Sequence, residues 1–359
     1  MTDTQNEAHS ASPQSDKKLT TREWMKILIS YREPFMWRSI FEVFVTVIPL
    51  MLLCYIAYLL LQISYFLSLP FCVAAGCFLV RLFIIQHDCG HGSYFKSKNL
   101  NNWLGRILGV FTLTPYTLWK RAHAIHHSSA GNLDKRGVGD INTLTVAEYM
   151  ALGATGRFKY RLYRHPIVMF GIGPIFIFML HYRLPIGFMN AGIKYWISSL
   201  GTSLSMLICG AIMVHFVGLG PFLMIYLPTV IVAGTLGVWM FYVQHQFEDT
   251  VWEYNGEWQM QDAALEGSSY YDLPGFLPWL TGYIGIHHVH HLNSRIPFYR
   301  LKKVLRDHAA LANMKRITLW ESFKCVKLQL WCEQKKKLIS FKEAVATQTE
   351  VALKKKLNA

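Results

Sequence analysis

Eight of the fifteen histidines fall into three tight groups whose spacing could build a metal site. They are His87 and His91; His123, His126 and His127; and His287, His290 and His291, with His288 between them. Residues three or four apart share one face of a helix, so each group can direct two or three imidazoles at one point. Imidazole binds zinc, copper, iron and nickel. Eight such ligands are too many for one ion and suit two.

The nearest alternative for the first group is a zinc protease. That chemistry needs the pattern HExxH, in which the glutamate is the general base. Here Asp88 and Cys89 follow His87, and no glutamate is available. One HxxxH pattern alone would be weak evidence, but its combination with two HxxHH patterns, each beyond an apolar run, predicts a functional metal site.

The composition predicts a membrane protein. Hydrophobic residues make up 52% of the 359 residues and charged residues only 16%, against about 25% charged residues in a soluble domain. The formal net charge is +14, but the basic residues lie between apolar runs and in the tails, as in cytoplasmic loops of membrane proteins. Nucleic-acid binding is therefore not expected. The seven cysteines contain no CxxC pair, which indicates a reducing compartment without a disulfide framework.

Four apolar runs are long enough to cross about 30 Å of hydrocarbon. They cover about residues 40–61, 66–85, 199–217 and 221–243. Short uncharged links join the first two and the last two, which predicts two helical hairpins. Two weaker stretches are predicted not to cross. Residues 104–119 contain Arg106 and Pro115, and residues 166–182 are short and have basic residues on both sides.

The number of spans determines on which side of the membrane each histidine group lies. The basic N-terminal tail (Lys17, Lys18, Arg22 and Lys26) is expected in the cytoplasm. Each hairpin returns the chain to that side, so all three histidine groups face the cytoplasm if residues 166–182 stay on one side. The predicted fold is an all-α membrane protein, with four transmembrane helices in two hairpins and a cytoplasmic helical cap that carries the histidine groups.

Three segments follow from this reading. Residues 1–38 form a polar and basic cytoplasmic segment whose first 16 residues are expected to be disordered, and residues 39–310 form the membrane domain. Residues 311–359 form an amphipathic basic C-terminal segment. Within it, residues 317–331 place apolar side chains at helical spacing, which predicts a helix lying in the membrane surface.

Longer motifs surround the histidines. They are residues 87–93 (HDCGHGS), 129–140 (SAGNLDKRGVGD), 241–249 (FYVQHQFED), 266–269 (EGSS) and 285–297 (GIHHVHHLNSRIP). This set resembles the membrane fatty acid desaturase family, whose pattern is HxxxH, HxxHH and HxxHH. The resemblance covers roughly residues 20 to 305 and is to the bacterial acyl-lipid desaturases of the delta-5 and delta-12 group.

The resemblance implies a non-haem centre of two iron ions, with the eight grouped histidines and His245 as ligands. His288 is expected outside the ligand set, as a supporting or surface residue. Because the ligands are almost all neutral imidazoles, nearby carboxylates should orient them and offset the charge. The candidates are Asp88, Asp134, Asp140, Glu248, Asp249 and Glu266, each equally consistent with a solvated loop charge. Trp239, Tyr242 and Trp279 are candidates to line a tunnel for the acyl chain, and core packing explains them equally well.

The expected activity is introduction of a cis double bond into acyl chains of membrane lipids, with molecular oxygen as oxidant. A separate electron donor, ferredoxin by resemblance, is expected because the HPGG haem motif of fused cytochrome domains is absent from the sequence. The expected location is a bacterial inner membrane. A hydroxylase or carotenoid-modifying oxygenase of the same superfamily is the first alternative. A membrane metal transporter or sensor is the second, although transporters favour ionisable groups near mid-bilayer.

Overall fold

The computed structural model describes residues 19–347. The expected disorder of residues 1–16, the lysines at 17 and 18, and the tail from residue 348 lie outside the described residues. The α-helices are α1 (Thr21–Leu28), α2 (Met36–Leu61), α3 (Tyr65–His91), α4 (Lys98–Phe111), α5 (Tyr116–Ser129), α6 (Val146–Ala151), α7 (Ala154–Tyr163), α8 (Gly173–Ile175), α9 (Ile193–Val217), α10 (Leu219–His245), α11 (Met260–Glu266), α12 (Leu277–Leu280), α13 (His287–Leu292), α14 (Phe298–Asp307), α15 (Ala309–Ala312) and α16 (Leu319–Cys325). The strands are β1 (Leu144–Thr145), β2 (Tyr270–Asp272), β3 (Arg316–Thr318), β4 (Leu330–Cys332) and β5 (Lys337–Ile339).

Within the described residues, four helices are long and apolar enough to span a membrane, namely α2, α3, α9 and α10. They form the two predicted hairpins, because residues 62–64 join the first pair and Gly218 the second. Within its most apolar window, α3 has 56% of its residues buried, against 11% or less in the other three. Helix α3 is thus the central span, and the apolar outer surfaces of the other three are those that lipid would cover.

Helix α3 extends six residues beyond the apolar run that ends at Ile85. Gln86, His87 and Asp88 are buried by neighbouring protein, so these polar residues continue the helix without facing lipid. The helix ends at His91 and is capped by Gly92, whose φ of +68° is the left-handed conformation that glycine adopts readily at a helix C-terminus. The first histidine group therefore lies on the last two turns of a membrane span.

Helices α3 and α10 approach closely at Gly76. A Cβ atom at this position would lie 2.7 Å from Val232 Cγ1 and 2.9 Å from the Thr229 carbonyl oxygen. Small residues permit such close contact between helices in a membrane, where packing rather than the hydrophobic effect holds them together. Gly76 therefore sets the distance between the helices that carry His87 and His245.

We expect Gly76→Ala to destabilise the protein by about 1–3 kcal/mol, because the added methyl overpacks this contact. The measurement is the midpoint of thermal unfolding in detergent. Gly201→Ala is the matched control, since a Cβ atom there meets nothing within 4 Å. Equal midpoints for the two variants would contradict the packing argument.

The two stretches predicted not to cross differ from each other. Residues 104–119 form the end of α4, a turn and the start of α5. Residues Ile167–Arg183 form a helical stretch with π-helical turns on both sides of α8, and it is bent by 56° from α7. The bend falls at Pro166, since the residue before a proline disfavours helical geometry.

The helix predicted over residues 317–331 is wrong in its extent. Thr318 caps a new helix by accepting the Glu321 N–H, so α16 begins at Leu319, and it ends at Cys325. On either side the chain forms strands. Strand β3 pairs in parallel with β2, and β4 lies between β1 and β5, with all three β4 residues buried. Only α16 keeps the expected apolar face, where Trp320 is 77% and Phe323 54% exposed.

Candidate metal centre

Nine histidines converge in two groups that could each hold a metal ion, with the ligand nitrogens of each group within 4.8 Å of one another. The first group is His87, His91, His123, His127 and His290, and the second is His126, His245, His287 and His291. The structure therefore brings together all nine residues predicted as ligands.

Three helices build the first group. His87 and His91 lie one turn apart at the end of α3, and their Nε2 atoms are 3.2 Å apart. His123 from α5 places its Nε2 atom 3.0 Å from that of His91. His127, one turn later on α5, reaches the Nε2 atom of His290 on α13 at 3.2 Å.

The second group takes its members from α5, α10 and α13. His245 is the last residue of α10, and its Nε2 atom lies 2.9 Å from that of His287. His291 approaches His287 at 3.1 Å between the same atoms. The ring of His126 is 4.6 Å from that of His245. Its buried Nε2 atom has no hydrogen-bond partner within residues 19–347, which suits a ligand atom.

The two groups share a boundary. The rings of His127 in the first and His291 in the second stack with centroids 4.1 Å apart. Helix α5 serves both groups because His123 and His127 point to one site while His126 points to the other. Two adjacent ions can thus be held by one set of helices.

The donor set fits metal ions of the iron and zinc type. Two nitrogen ligands about 2.1 Å from one ion and at right angles lie about 3 Å apart, and the facing Nε2 atoms show such spacing. Burial, followed by the charge of neighbouring imidazoles, lowers the pKa of His123, His127, His287, His290 and His291 well below the usual value. A lowered pKa keeps imidazole neutral, which is the form that binds metal.

Two of the six candidate carboxylates contact the histidines. Asp140 accepts a hydrogen bond from His126 Nδ1, which leaves Nε2 free as a ligand atom. Asp88 Oδ1 lies 3.2 Å from His87 Nδ1, and its Oδ2 accepts the Phe298 N–H at 2.7 Å. Asp88 therefore also connects α3 to the start of α14, which follows shortly after His291 in the sequence.

The other four carboxylates lie on exposed positions and have other contacts. Asp134 accepts the Asn255 N–H at 2.8 Å within a loop, and Glu248 pairs with Lys337 at 2.6 Å. Asp249 and Glu266 are exposed. The structure does not bring these four to the histidines, because proximity in sequence to a histidine motif does not determine how the loop folds.

His288 does not belong to either group. Of the two expected positions, supporting or surface, its complete burial excludes the surface one. Its Nε2 atom lies 2.9 Å from the Leu311 carbonyl, to which it can donate. His288 thus joins α13 to α15 and has a structural role.

The three candidate tunnel residues make protein contacts. The Trp239 ring packs between Phe170 and Phe323 at centroid distances of 4.9 and 5.3 Å. The Tyr242 hydroxyl is buried and accepts a hydrogen bond from Arg164 at 3.1 Å. The Trp279 ring lies 4.2 Å from the Arg81 guanidinium carbon. For Tyr242 in particular, these contacts favour a packing role.

Two aromatic residues next to the histidines were missed from the sequence. Trp119 stacks on His123 with centroids 4.6 Å apart, and Phe241 lies 5.1 Å from both His126 and His245. Each stands four residues before a histidine on its own helix, so helical spacing was the available signal. Such apolar neighbours limit the access of water to a metal site.

Comparison with known proteins gives the family. The profile of a family described as "Fatty acid desaturase" matches residues 64–323. A "Fatty acid desaturase" of Bacillus subtilis (strain 168) is 42% identical over 321 residues, which cover 89% of this chain and 91% of the relative. An "sn-1 acyl-lipid omega-3 desaturase (ferredoxin)" of Synechocystis sp. is 31% identical over 251 residues, 67% of each chain.

A third relative is more distant. An "sn-1 oleoyl-lipid 12-desaturase" of Picosynechococcus sp. is 27% identical over 259 residues, 68% of this chain and 70% of the relative. The matched region contains all nine converging histidines. The resemblance inferred from the motifs is confirmed: this chain, with its four apolar helices, is a membrane oxidoreductase that belongs to the fatty acid desaturase family.

Proposed function

We propose that this protein introduces a cis double bond into acyl chains of membrane lipids, with two iron ions and molecular oxygen. The observation that carries the proposal is the convergence of nine imidazoles in two adjoining groups, three of them from the ends of the apolar helices α3 and α10 and six from α5 and α13. Bound iron would supply the oxidising power to remove hydrogen from an unactivated methylene, which no amino-acid side chain provides. The relatives named as acyl-lipid desaturases support the choice of reaction.

The residues of the chain hold and orient the ions. His87, His91, His123, His127 and His290 would bind one, and His126, His245, His287 and His291 the other. Asp140 and Asp88 fix the rings of His126 and His87 through Nδ1. Their negative charges also offset part of the positive charge that neutral ligands leave on the ions.

We propose that the site faces the cytoplasm of a bacterial cell. Two helices long and apolar enough to cross a membrane, α9 and α10, lie between the two HxxHH motifs, that is between His127 and His287 in the sequence. Because both motifs contribute to one cluster, an additional crossing by Ile167–Arg183 would be incompatible with it. The basic residues of the N-terminal segment support the cytoplasmic side.

We propose a separate, acidic electron carrier of the ferredoxin type as partner. One relative's name includes ferredoxin as its donor. The formal charge of +14 suits attraction of an acidic protein, which raises the rate of encounter.

Expression in a bacterium that lacks desaturases, followed by mass spectrometry of its lipids, tests the reaction. We expect products lighter by two hydrogen atoms, with double bonds located by fragmentation, and none without oxygen. Products that carry only one added oxygen atom would replace the proposal with a hydroxylase. Unchanged lipids in cells whose purified protein contains zinc or no metal would favour a metal transporter or sensor.

We expect Asp140→Asn to lower iron affinity by roughly 10- to 100-fold, because an amide holds the His126 ring less firmly and adds no negative charge. Iron retained after dialysis against increasing chelator measures the effect. Glu266→Gln is the control, since it removes an exposed carboxylate at the end of α11. Wild-type iron retention in Asp140→Asn would refute the role assigned to Asp140.

A further inference from the structure

A groove of about 590 Å³ lies between the end of α7 and the C-terminal part of the chain. Arg161, Arg164, His165 and Pro166 line one side, and Phe341 and Lys342 line the other. Its volume is in the range of sites that bind small molecules. The groove is separate from the two histidine groups, none of whose members lines it.

The polar side of the groove carries uncompensated positive charge. Among the ion pairs within residues 19–347, none involves Arg161, Arg164 or Lys342. Arg161 instead donates to the Tyr149 hydroxyl at 2.6 Å and lies over the Phe341 ring. Arg161 and Lys342 are exposed and therefore available to an anion that enters the groove, whereas Arg164 is buried.

Arg164 is the most informative of the three, because it is 3% exposed. Its guanidinium donates hydrogen bonds only to neutral oxygens. The acceptors are on Asn142, Thr143, Tyr242, Gln246 and Leu328. Its buried Nε atom has no hydrogen-bond partner among the described residues. A buried charge without a counter-charge is costly, so an anion beside it would be stabilising.

Exposed apolar side chains lie in and next to the segments that line the groove. Val345 lines it and is 51% exposed. Leu162 and Ile167, next to lining residues in sequence, are 50% and 67% exposed, and Phe158 one turn before Leu162 is 66% exposed. Beyond Ile167 the chain continues into the apolar stretch that ends at Arg183. Cations bordered by exposed apolar side chains are typical of a surface that lies at the level of lipid head groups.

We propose that this groove binds the head group of an anionic phospholipid, with the phosphate on Arg161 and Lys342 beside the buried charge of Arg164, and with the acyl chains leaving past Ile167 and Val345. Arginine matches the geometry of phosphate oxygens through paired N–H groups. Only an amphiphile satisfies both the cationic interior and the exposed apolar side chains beside it. The site is distinct from the proposed reaction and does not require the bound lipid to be its substrate.

Arg164 connects the groove to the segments that carry His245 and Asp140. Its guanidinium contacts Tyr242 and Gln246, which lie three residues before and one residue after His245. It also contacts Asn142 and Thr143, which follow Asp140. A lipid phosphate would thus stabilise the arginine that joins the loop of Asp140 to the end of α10.

Lipid binding to the purified full chain in detergent tests the proposal by native mass spectrometry and thermal unfolding. The probes are phosphatidylglycerol, phosphatidylcholine and inorganic phosphate. The groove variant is Arg161→Gln with Lys342→Gln, and the control is Arg157→Gln with Lys159→Gln, which removes the same charge from the same region outside the groove. If the double variant does not fold, Lys342→Gln alone replaces it as the groove variant, because it removes the charge of an exposed side chain.

We expect wild type and control to bind phosphatidylglycerol and to unfold at a higher temperature with it. The groove variant should bind phosphatidylglycerol at least about tenfold more weakly, because it loses charge-assisted hydrogen bonds. Lys342→Gln alone should also weaken the binding of phosphatidylglycerol. Equal phosphatidylglycerol binding by groove variant and control would overturn the proposal. The proposal would also be overturned if inorganic phosphate or phosphatidylcholine raised the unfolding temperature of the wild type as much as phosphatidylglycerol does. The assay needs neither iron nor oxygen, so its outcome is independent of the proposed reaction.

Discussion

His245→Gln is expected to reduce bound iron from two ions to one per chain and to abolish the formation of unsaturated lipids. His245 is one of only four histidines in its group and the only one of them from α10. We expect a loss of product of at least about 100-fold, because residues that merely support ligands already change activity by 10- to 100-fold. Iron per chain and the double-bond content of cellular lipids are the measurements.

The matched control for this result is His288→Gln. His288 is as buried as the ligands but faces Leu311, and glutamine can still donate a hydrogen bond to that carbonyl. This variant should retain two ions per chain. If His245→Gln kept both ions and wild-type activity, the second group would not be a metal site.

Glu42→Gln is expected to cost about 3–5 kcal/mol of stability, because it leaves Arg81 charged and unpaired inside the membrane helices. The two side chains form an ion pair between α2 and α3, and both are almost fully buried. Arg81 Nε also donates to Thr46 Oγ1 at 3.1 Å. Arg38 also contacts Glu42 but is 47% exposed, so it stays solvated when its partner is removed.

A double-mutant cycle separates the pair from its surroundings. Its single variants are Glu42→Leu, which leaves Arg81 unpaired, and Arg81→Met, which leaves the Glu42 carboxylate buried, and each should be destabilising. The double variant that combines these two substitutions should recover most of the loss. Unfolding in mixed detergent micelles gives the free energies. If the two single effects simply added in the double variant, the pair would not be coupled and the argument would fail.

The convergence of the three histidine motifs was predictable because spacings of three and four residues fix directions on a helix. His245 has no such partner in its own segment. It reaches the second group because α10 packs on α3 at Gly76, which no local pattern reveals. Only resemblance to a family placed it among the ligands.

The carboxylates show where sequence reasoning fails. Asp140 stands fourteen residues after His126 yet bonds to it, because the loop turns back through Gly137 and Gly139 with φ of +108° and +74°. A Cβ atom at Gly139 would lie 2.9 Å from the Ala122 carbonyl oxygen, so this return needs glycine. Asp134, in the same loop, points to Asn255 instead.

The C-terminal strands could not be predicted for a similar reason. Strand β4 has three residues and pairs with β1, so Leu330 lies opposite Leu144. Apolar periodicity over so short a segment does not distinguish a strand from a helix. The pairing partner is 186 positions away in sequence (330 minus 144) and is chosen by the fold of the membrane domain.

Helix α3 is long and apolar enough to cross a membrane and ends in histidines proposed to bind metal, so its length would set the height of the proposed reaction above the lipid core. His87 is 22 residues after Tyr65, where the helix begins. At about 1.5 Å per residue that distance is about 33 Å, slightly more than the roughly 30 Å of hydrocarbon. A methylene in mid-chain would therefore have to leave the bilayer interior to reach ions held by these histidines. Because a span longer than the hydrocarbon thickness tilts, kinks or thickens the bilayer around it, membrane thickness and the geometry of the proposed reaction would be mechanically linked.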